Sequence, residues 1–271
     1  MASVGIIGAS GFTGAELLRL CAAHPDLDVV VATGDTQAGT AVADLYPSLA
    51  AHYGDLAFSA VDAETADGCD LVFLGLPHGA SQALVPDLAS RVGHVLDLSA
   101  DFRLSDAALY PEWYDEAHTA HELLDGFAYG LPELYRPSLV GAPLVAVPGC
   151  YPTAASLALA PFTWGGHVEP SGIVVDAASG VSGAGRPPKP HTTFCAADEP
   201  FVVVDERSPS TKATLGSNAA SLPPATPGPP GTSTAKGPLD CWPTPTPTSR
   251  SSSSMSGRHR PRPRSAPTPP T

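Results

Sequence analysis

Residues 4–14 read VGIIGASGFTG, a short apolar run followed by three glycines spaced three residues apart. The apolar run predicts a buried strand, and the residues after the last glycine predict a helix that continues through Cys21. Between a strand and a helix, Gly8 permits a tight turn, Gly11 a close backbone approach to a pyrophosphate, and Gly14 close packing of helix on strand. The pattern therefore favours a dinucleotide-binding unit over an ordinary glycine-rich turn.

Further apolar runs alternate with predicted helices along the chain. We expect strands at 27–32, 70–74, 94–98, 144–147 and 172–176, and helices at 80–91 and 153–162. Continuous apolar strands separated by helices are typical of a parallel sheet covered on both faces. The predicted fold class is α/β, a Rossmann-like doubly wound parallel sheet.

The composition excludes several classes of function. The 271 residues carry 14 Lys and Arg against 27 Asp and Glu, a formal net charge of −13, which argues against a nucleic-acid-binding surface. No apolar run approaches the ~20 residues that span a bilayer, and the N-terminus lacks a signal-peptide pattern. We therefore expect no membrane partner and a cytoplasmic location. Five widely spaced cysteines without a CxxC pair predict neither a disulfide framework nor a metal site.

The charge is unevenly distributed along the chain. Residues 1–206 contain all the acidic residues except Asp240, whereas residues 207–271 are basic and rich in Pro, Ser and Thr. Such a segment has too few apolar side chains to offset its conformational entropy, so we predict a disordered tail over 207–271. Its basic stretch RHRPRPR at 258–264 could bind a polyanion, but a solvated tail is the simpler interpretation.

A second pattern, PGCYPT at 148–153, carries a candidate nucleophile. Cys150 follows a predicted strand and precedes a helix with Pro152 in its first turn, where proline is tolerated. The helix dipole stabilises a thiolate there, and the N–H groups of the first turn can hold an oxyanion. An isolated cysteine is more often simply buried. Its position in a chain with a nucleotide loop favours Cys150 as a nucleophile that forms an acyl-thiol intermediate.

Three other polar stretches have both a functional and a structural interpretation. Asp35 follows the second strand and could accept a ribose 2′-OH, which would favour NAD, or be a solvated turn residue. DLSADFR at 97–103 follows a strand, where ligands of parallel sheets gather, or forms an internally paired turn. GVSGAGR at 180–186 could bind an anion through its backbone and guanidinium, or be a flexible loop.

Seven motifs, taken in order, resemble those of the N-acetyl-gamma-glutamyl-phosphate reductase family. They are GASGFTG (8–14), LGLPHGAS (74–81), DLSADFRL (97–104), YGLPE (129–133), PGCYPT (148–153), SGVSGAGR (179–186) and HTTFCAADE (191–199). The resemblance covers roughly residues 1–200 and implies a Rossmann domain with an α+β catalytic and dimerisation domain. The expected organisation is an NAD(P)-binding domain at 1–149, a partial catalytic and dimerisation domain at 150–206, and the tail at 207–271.

This resemblance implies NADPH-dependent reduction of N-acetyl-L-glutamyl 5-phosphate to N-acetyl-L-glutamate 5-semialdehyde and phosphate, a step of arginine biosynthesis, through a Cys150 thioester. The implied cofactor-binding residues are Gly8, Ser10, Gly11, Phe12, Thr13, Gly14, Ser182 and Gly183. The implied substrate-binding residues are Ser99, Arg103 and Arg186. A homo-oligomer is expected from the family, and no metal is.

The sequence departs from the family pattern at three places. The family tends to carry a Ser-Arg pair suited to the 2′-phosphate of NADP. Residues 33–36 read TGDT instead, so NAD is kept as an alternative cofactor. Ala178 stands where many members carry Lys. No family-like acid–base histidine follows residue 199, and we hypothesise that a frameshift near codon 200 replaced the native C-terminus, which predicts impaired activity. The open alternatives are an N-acetyl-aminoadipyl-phosphate reductase and a non-catalytic nucleotide-binding fragment.

Overall fold

The computed structural model describes residues 1–62, 64–169, 171–178 and 180–186. The strands of this part are β1 (Ala2–Ile7), β2 (Leu27–Ala32), β3 (Leu71–Leu74), β4 (His94–Asp97), β5 (Phe127–Tyr129) and β6 (Leu144–Ala146). The α-helices are α1 (Phe12–Ala22), α2 (Val42–Leu45), α3 (Ala50–Tyr53), α4 (Ala80–Leu88), α5 (Tyr110–Tyr114), α6 (Pro132–Leu139) and α7 (Cys150–Trp164). Short 3₁₀ turns lie in several of the connections.

These strands form one parallel sheet in the order β2-β1-β3-β4-β6-β5. The chain passes from β1 to β2 on one side, then returns to place β3 on the other side of β1. The strand order therefore reverses between β1 and β3, which confirms the predicted doubly wound α/β fold. In such sheets, ligands bind outside the carboxyl ends of the strands, beside the point of reversal.

The apolar residues of the strands divide between the two faces of the sheet. Val72 and Leu74 of β3 belong to one buried cluster, whereas Leu71 and Phe73 pack against the other. Successive residues of a strand point to opposite faces, so each face has its own core. Helix α1 contributes Leu18 to one of these cores, and α4 contributes residues to the other.

Several predicted elements differ from the structure. The helix predicted at 80–91 ends at Leu88, and the helix predicted at 153–162 runs from Cys150 to Trp164. The strand predicted at 172–176 is wrong: it has no regular secondary structure, and Val174 is 85% exposed. A strand needs a neighbour to complete its hydrogen bonds, and no described segment pairs with these residues.

Some predictions concern residues outside the described part of the chain. The tail predicted at 207–271 and the HTTFCAADE motif at 191–199 both lie there. Within the described part, no helix is long and apolar enough to cross a membrane.

The first turn of α1 packs closely on the loop that precedes it. A Cβ atom added at Gly14 would lie 2.4 Å from the Cα of Ala9, far inside van der Waals contact. Gly8 has a φ of +85°, and a Cβ there would lie 2.5 Å from the carbonyl oxygen of Gly75. Both positions therefore require glycine, one for helix packing and one for the turn.

Replacing Gly14 by Ala should lower the free energy of unfolding by about 1–3 kcal/mol, because the added methyl meets backbone atoms. Gly11→Ala is the matched control in the same loop, since Gly11 has a φ of −81° and its added Cβ would meet only the Gly8 carbonyl oxygen, at 3.4 Å. Urea unfolding of both variants measures the difference. Equal destabilisation by the two substitutions would contradict the close packing at Gly14.

Candidate active site

The glycine loop after β1 leads into a helix N-terminus, where the first backbone N–H groups have no partner within the helix. The Gly11 N–H donates to the Gly8 carbonyl oxygen at 3.1 Å, which closes the turn. Helix α1 begins at Phe12, and its N-cap residue, Gly11, has no side chain that could cap it. The first N–H groups of a helix have no partner within it, so those of Phe12, Thr13 and Gly14 are available where the positive end of the helix dipole lies. This arrangement suits an anion such as a pyrophosphate.

Ser10 lies at the centre of the loop and is contacted on two sides. Its side chain packs so closely on Gly34 that a Cβ at Gly34 would lie 2.8 Å from the Ser10 Cβ. Its carbonyl oxygen lies 2.7 Å from the hydroxyl of Tyr46, which also lies 3.0 Å from the carbonyl of Gly11. The glycine pattern could not have predicted Tyr46, because it lies 35 residues from Gly11 in sequence.

Asp35 follows Gly34 in an exposed 3₁₀ turn at the carboxyl end of β2. This position is compatible both with a ligand for a ribose hydroxyl and with a solvated turn residue. Its role stays a prediction.

Cys150 is the first residue of α7 and is exposed at the carboxyl end of β6. Gly149 occupies the N-cap position without a side-chain cap. The two other cysteines of the described part, Cys21 and Cys69, are buried, and burial raises the pKa of each thiol. Among these three residues, Cys150 is therefore the one whose thiol is exposed, and its role as a nucleophile stays a prediction.

Arg103 connects the ends of two strands beside Cys150. Its Nε donates to the carbonyl oxygen of Val147 at 2.8 Å, and its Nη2 donates to that of Leu98 at 2.7 Å. Its Nη1 lies 3.1 Å from the position that a Cβ of Gly149 would occupy. The structure therefore brings the predicted arginine next to the residue that precedes the candidate nucleophile, as a substrate-binding role would require.

Ser99 lies in the turn that follows β4. Its side chain is buried, its hydroxyl donates to Asp97 at 2.6 Å, and it accepts the N–H of Asp101 at 3.1 Å. Both interactions lie within the turn after β4, and a role of Ser99 in substrate binding stays a prediction. Burial raises the pKa of Asp97, although hydrogen bonds from Ser99 and Ser81 oppose this.

Asp101 caps the N-terminus of α4 from a distance in sequence. One carboxylate oxygen accepts the Gly79 N–H at 2.7 Å and lies 2.5 Å from Nδ1 of His78; the other accepts the N–H groups of Ser81 and Gln82 at 2.9 and 3.2 Å. Burial alone would raise the pKa of Asp101, but the hydrogen bonds from His78 and these N–H groups lower it on balance. Sequence reasoning missed this cap because about twenty residues separate acid and helix.

A cavity of about 210 Å³ lies beside Arg103. It is lined by Phe102, Arg103, Ser105, Leu124, Phe127, Tyr129, Tyr135 and Ala146. Aromatic walls with one guanidinium suit a small molecule that has an aliphatic part and an anionic group.

The 180–186 segment reaches the glycine loop. Ser182 and Gly183 lie in an exposed 3₁₀ turn. Nη1 of Arg186 donates to the Ser10 carbonyl oxygen at 2.9 Å and lies 3.0 Å from the Tyr46 hydroxyl. The resemblance implied that Arg186 binds substrate; in the structure it contacts the glycine loop, and its role stays a prediction. No cluster of metal-ligating side chains was found among the described residues.

Two family models match this chain. A model described as "Semialdehyde dehydrogenase, NAD binding domain" matches residues 3–142, and "Semialdehyde dehydrogenase, dimerisation domain" matches residues 150–205. The chain belongs to the semialdehyde dehydrogenase family. The first family model covers the glycine loop and Arg103, and the second begins at Cys150.

Curated relatives within this family share one name, N-acetyl-gamma-glutamyl-phosphate reductase. The Pseudomonas putida (strain W619) and Pseudomonas aeruginosa (strain PAO1) proteins are each 50% identical over 199 residues, and that of Azotobacter vinelandii is 48% identical. Each alignment covers 73% of this chain and 58% of the relative. The resemblance read from the seven motifs is thereby confirmed, and the chain spans somewhat more than half the length of these relatives.

Solved structures of aspartate semialdehyde dehydrogenases align only in part. The Vibrio cholerae enzyme II complexed with ASA gives a TM-score of 0.46 at 17% identity, covering 69% of this chain and 48% of that chain. The Candida albicans enzyme with NADP gives 0.44 at 15% identity, covering 60% and 47%. The family assignment rests on the family models.

Brief treatment with iodoacetamide should alkylate Cys150 much faster than Cys21 or Cys69, because the thiol of Cys150 is exposed and the other two thiols are buried. Mass spectrometry of the tryptic peptides measures the three rates in one native sample. The denatured protein is the control, in which the three rates should converge. Equal rates in the native protein would contradict the burial of Cys21 and Cys69.

Asp101→Asn should lower the free energy of unfolding by about 2–4 kcal/mol at neutral pH, because the amide nitrogen that replaces one carboxylate oxygen is a donor and cannot accept the N–H groups that this oxygen meets. The folded-state pKa of Asp101 is lowered, so its stabilisation is present above the unfolded value of about 4 and is lost as the pH falls through the folded value. The difference between wild type and variant should therefore shrink below about pH 4.

Urea unfolding at several pH values measures this difference. Asp106→Asn is the matched control, since its exposed carboxylate accepts one backbone N–H, that of Ala108, and we expect a smaller loss. A difference for Asp101→Asn that stays constant down to pH 3 would argue against an ionised Asp101 in the fold.

Proposed function

We propose that the chain carries the cofactor-binding and nucleophile parts of an N-acetyl-gamma-glutamyl-phosphate reductase. The proposed reaction converts N-acetyl-L-glutamyl 5-phosphate and NADPH to N-acetyl-L-glutamate 5-semialdehyde, phosphate and NADP. The observation that carries the proposal is the exposed Cys150 at an uncapped helix N-terminus, on the same sheet edge as the uncapped glycine loop. The proposed substrate is taken from the name of these relatives, which are 50% identical to the chain.

The glycine loop fits the dinucleotide. A Cβ at Gly11 would meet only the Gly8 carbonyl oxygen, so the outer side of the loop is open to a pyrophosphate. The N–H groups of Phe12, Thr13 and Gly14 would donate to the phosphate oxygens, and Gly8 holds the turn. When bound, the dinucleotide supplies the hydride. Ser182 and Gly183 are proposed to contact it as well, by resemblance.

Cys150 is proposed to attack the acyl carbon of the substrate. The new S–C bond forms as the bond from carbon to the phosphate oxygen breaks, and phosphate leaves with that electron pair. The N–H groups of the first turn of α7 would donate to the carbonyl oxygen as it gains negative charge. After hydride reaches the thioester carbon, the C–S bond breaks, the semialdehyde departs, and the Cys150 thiolate is regenerated.

Arg103 is proposed to hold the phosphate of the substrate. Its hydrogen bonds to the carbonyls of Leu98 and Val147 fix the guanidinium next to Gly149. A fixed cation beside the nucleophile would stabilise the dianion that leaves. The adjoining cavity could receive the remainder of the substrate.

We further propose a homo-oligomer and weak turnover. The dimerisation-domain match begins at Cys150, and the exposed apolar residues Val174 and Val181 support a further contact surface there. No histidine at the family's acid–base position is recognisable in the sequence, and losing such a group typically lowers a rate by ~10² to 10⁴.

Purified full-length chain should reduce NADP, weakly, when given the semialdehyde and phosphate, as followed by NADPH absorbance. Cys150→Ser should abolish the activity, and Cys69→Ala, which removes a buried thiol, should preserve it. Activity in Cys150→Ser equal to wild type would refute the thioester. Dinucleotide binding without turnover would favour the nucleotide-binding fragment, and preference for the longer aminoadipate semialdehyde would favour that substrate class.

A further inference from the structure

Arg186 approaches the glycine loop from its carbonyl side. Its Nη1 donates to the Ser10 carbonyl oxygen at 2.9 Å and lies 3.0 Å from the Tyr46 hydroxyl. Its guanidinium carbon lies 5.3 Å from the centroid of the Tyr46 ring, within cation–π range. Three contacts therefore hold one guanidinium beside the loop, although 176 residues separate Arg186 from Ser10.

This side of the loop faces the end of β2. Tyr46 packs edge-on against Phe58, with ring centroids 6.4 Å apart. The Ser10 side chain packs against Gly34, and Asp35 follows directly. In doubly wound folds the adenosine ribose binds at the end of this strand, where an acid contacts a 2′-OH or a nearby arginine accommodates a 2′-phosphate.

The charges near the loop indicate that Arg186 determines whether the site prefers NAD or NADP. Asp35 alone would attract a 2′-hydroxyl and repel a 2′-phosphate. In the described part of the chain, Arg186 is the cation that contacts Ser10. Its observed hydrogen bonds use Nη1, and a guanidinium has five N–H donors, so Nε and Nη2 can still donate to a phosphate.

We propose that Arg186 binds the 2′-phosphate of NADP, so that the preference for NADP is supplied by the 180–186 segment instead of by the end of β2. The proposal rests on the proposed function, because it presumes that the glycine loop binds a dinucleotide. It assigns Arg186 to the adenosine half of the cofactor and not to the substrate.

Dissociation constants of the full-length chain for NADPH and NADH, measured by titration calorimetry at one salt concentration, test this assignment. Arg186→Gln should weaken NADPH binding about tenfold or more, as expected for a lost charged hydrogen bond, and leave NADH binding within about twofold. Arg186→Lys keeps the charge and should lose less. Arg91→Gln is the matched control, because Arg91 is a partly exposed arginine before β4 that pairs with Asp67; it should change neither constant.

The outcomes separate the two proposals. Equal weakening of NADPH and NADH by Arg186→Gln, or no weakening of either, would overturn the assignment of the 2′-phosphate and leave the reductase proposal standing. Wild-type protein that binds NADH more tightly than NADPH would do the same. Wild-type protein that binds neither dinucleotide would overturn the cofactor site itself, and the inference with it. Urea unfolding of the variants excludes a loss of fold as the cause.

Discussion

The close approach of two backbone turns organises the carboxyl edge of the sheet. Gly8 turns in the left-handed region directly against the carbonyl of Gly75, so the loops that follow β1 and β3 meet without side chains between them. At this point the strand order reverses, because β2 lies on one side of β1 and β3 on the other. Because the strands are parallel, the helices that follow them begin on this same edge, and the partial positive charges of α1 and α7 are collected there.

Arginine side chains link the parts of this edge through backbone carbonyls. Arg103 spans the ends of β4 and β6, and Arg186 spans the glycine loop and Tyr46. The chain has a formal net charge of −13, which would repel an anionic cofactor and an acyl phosphate. Two fixed guanidinium groups and two uncapped helix N-termini offset that repulsion locally. The acidic composition and the proposed anionic ligands are therefore compatible.

Two buried carboxylates at the same edge of the sheet accept hydrogen bonds from within the protein. Asp97 and Asp101 are buried, and their oxygens accept hydrogen bonds from Ser99, Ser81 and backbone N–H groups. Because Asp101 occupies the N-terminus of α4, that helix end is not available to a ligand. Among α1, α4 and α7, the N-termini that Asp101 does not occupy are those of α1 and α7.

Much of this fold could be predicted from the sequence, because the apolar runs of β1 to β4 and β6 are bounded by turn residues. Strand β5 escaped prediction because three residues carry no periodicity. The glycine loop and Cys150 were recognisable from local patterns. The contacts of Arg186 were not, since Ser10 and Tyr46 lie far from it in sequence. The partners of Ser99 are only two residues away and agree with the internally paired turn that the sequence allowed. The strand predicted at 172–176 is absent because an apolar sequence alone does not provide a neighbouring strand with which to pair.

The central claim is that the glycine loop and Cys150 form one site. Alkylation of Cys150 by iodoacetamide, measured with and without saturating NADP, tests it most directly. A bound dinucleotide that reaches from the loop toward α7 should slow alkylation of Cys150, whereas ADP-ribose, which lacks the nicotinamide, should protect it less. An unchanged rate at a concentration where calorimetry establishes full NADP occupancy would contradict the claim.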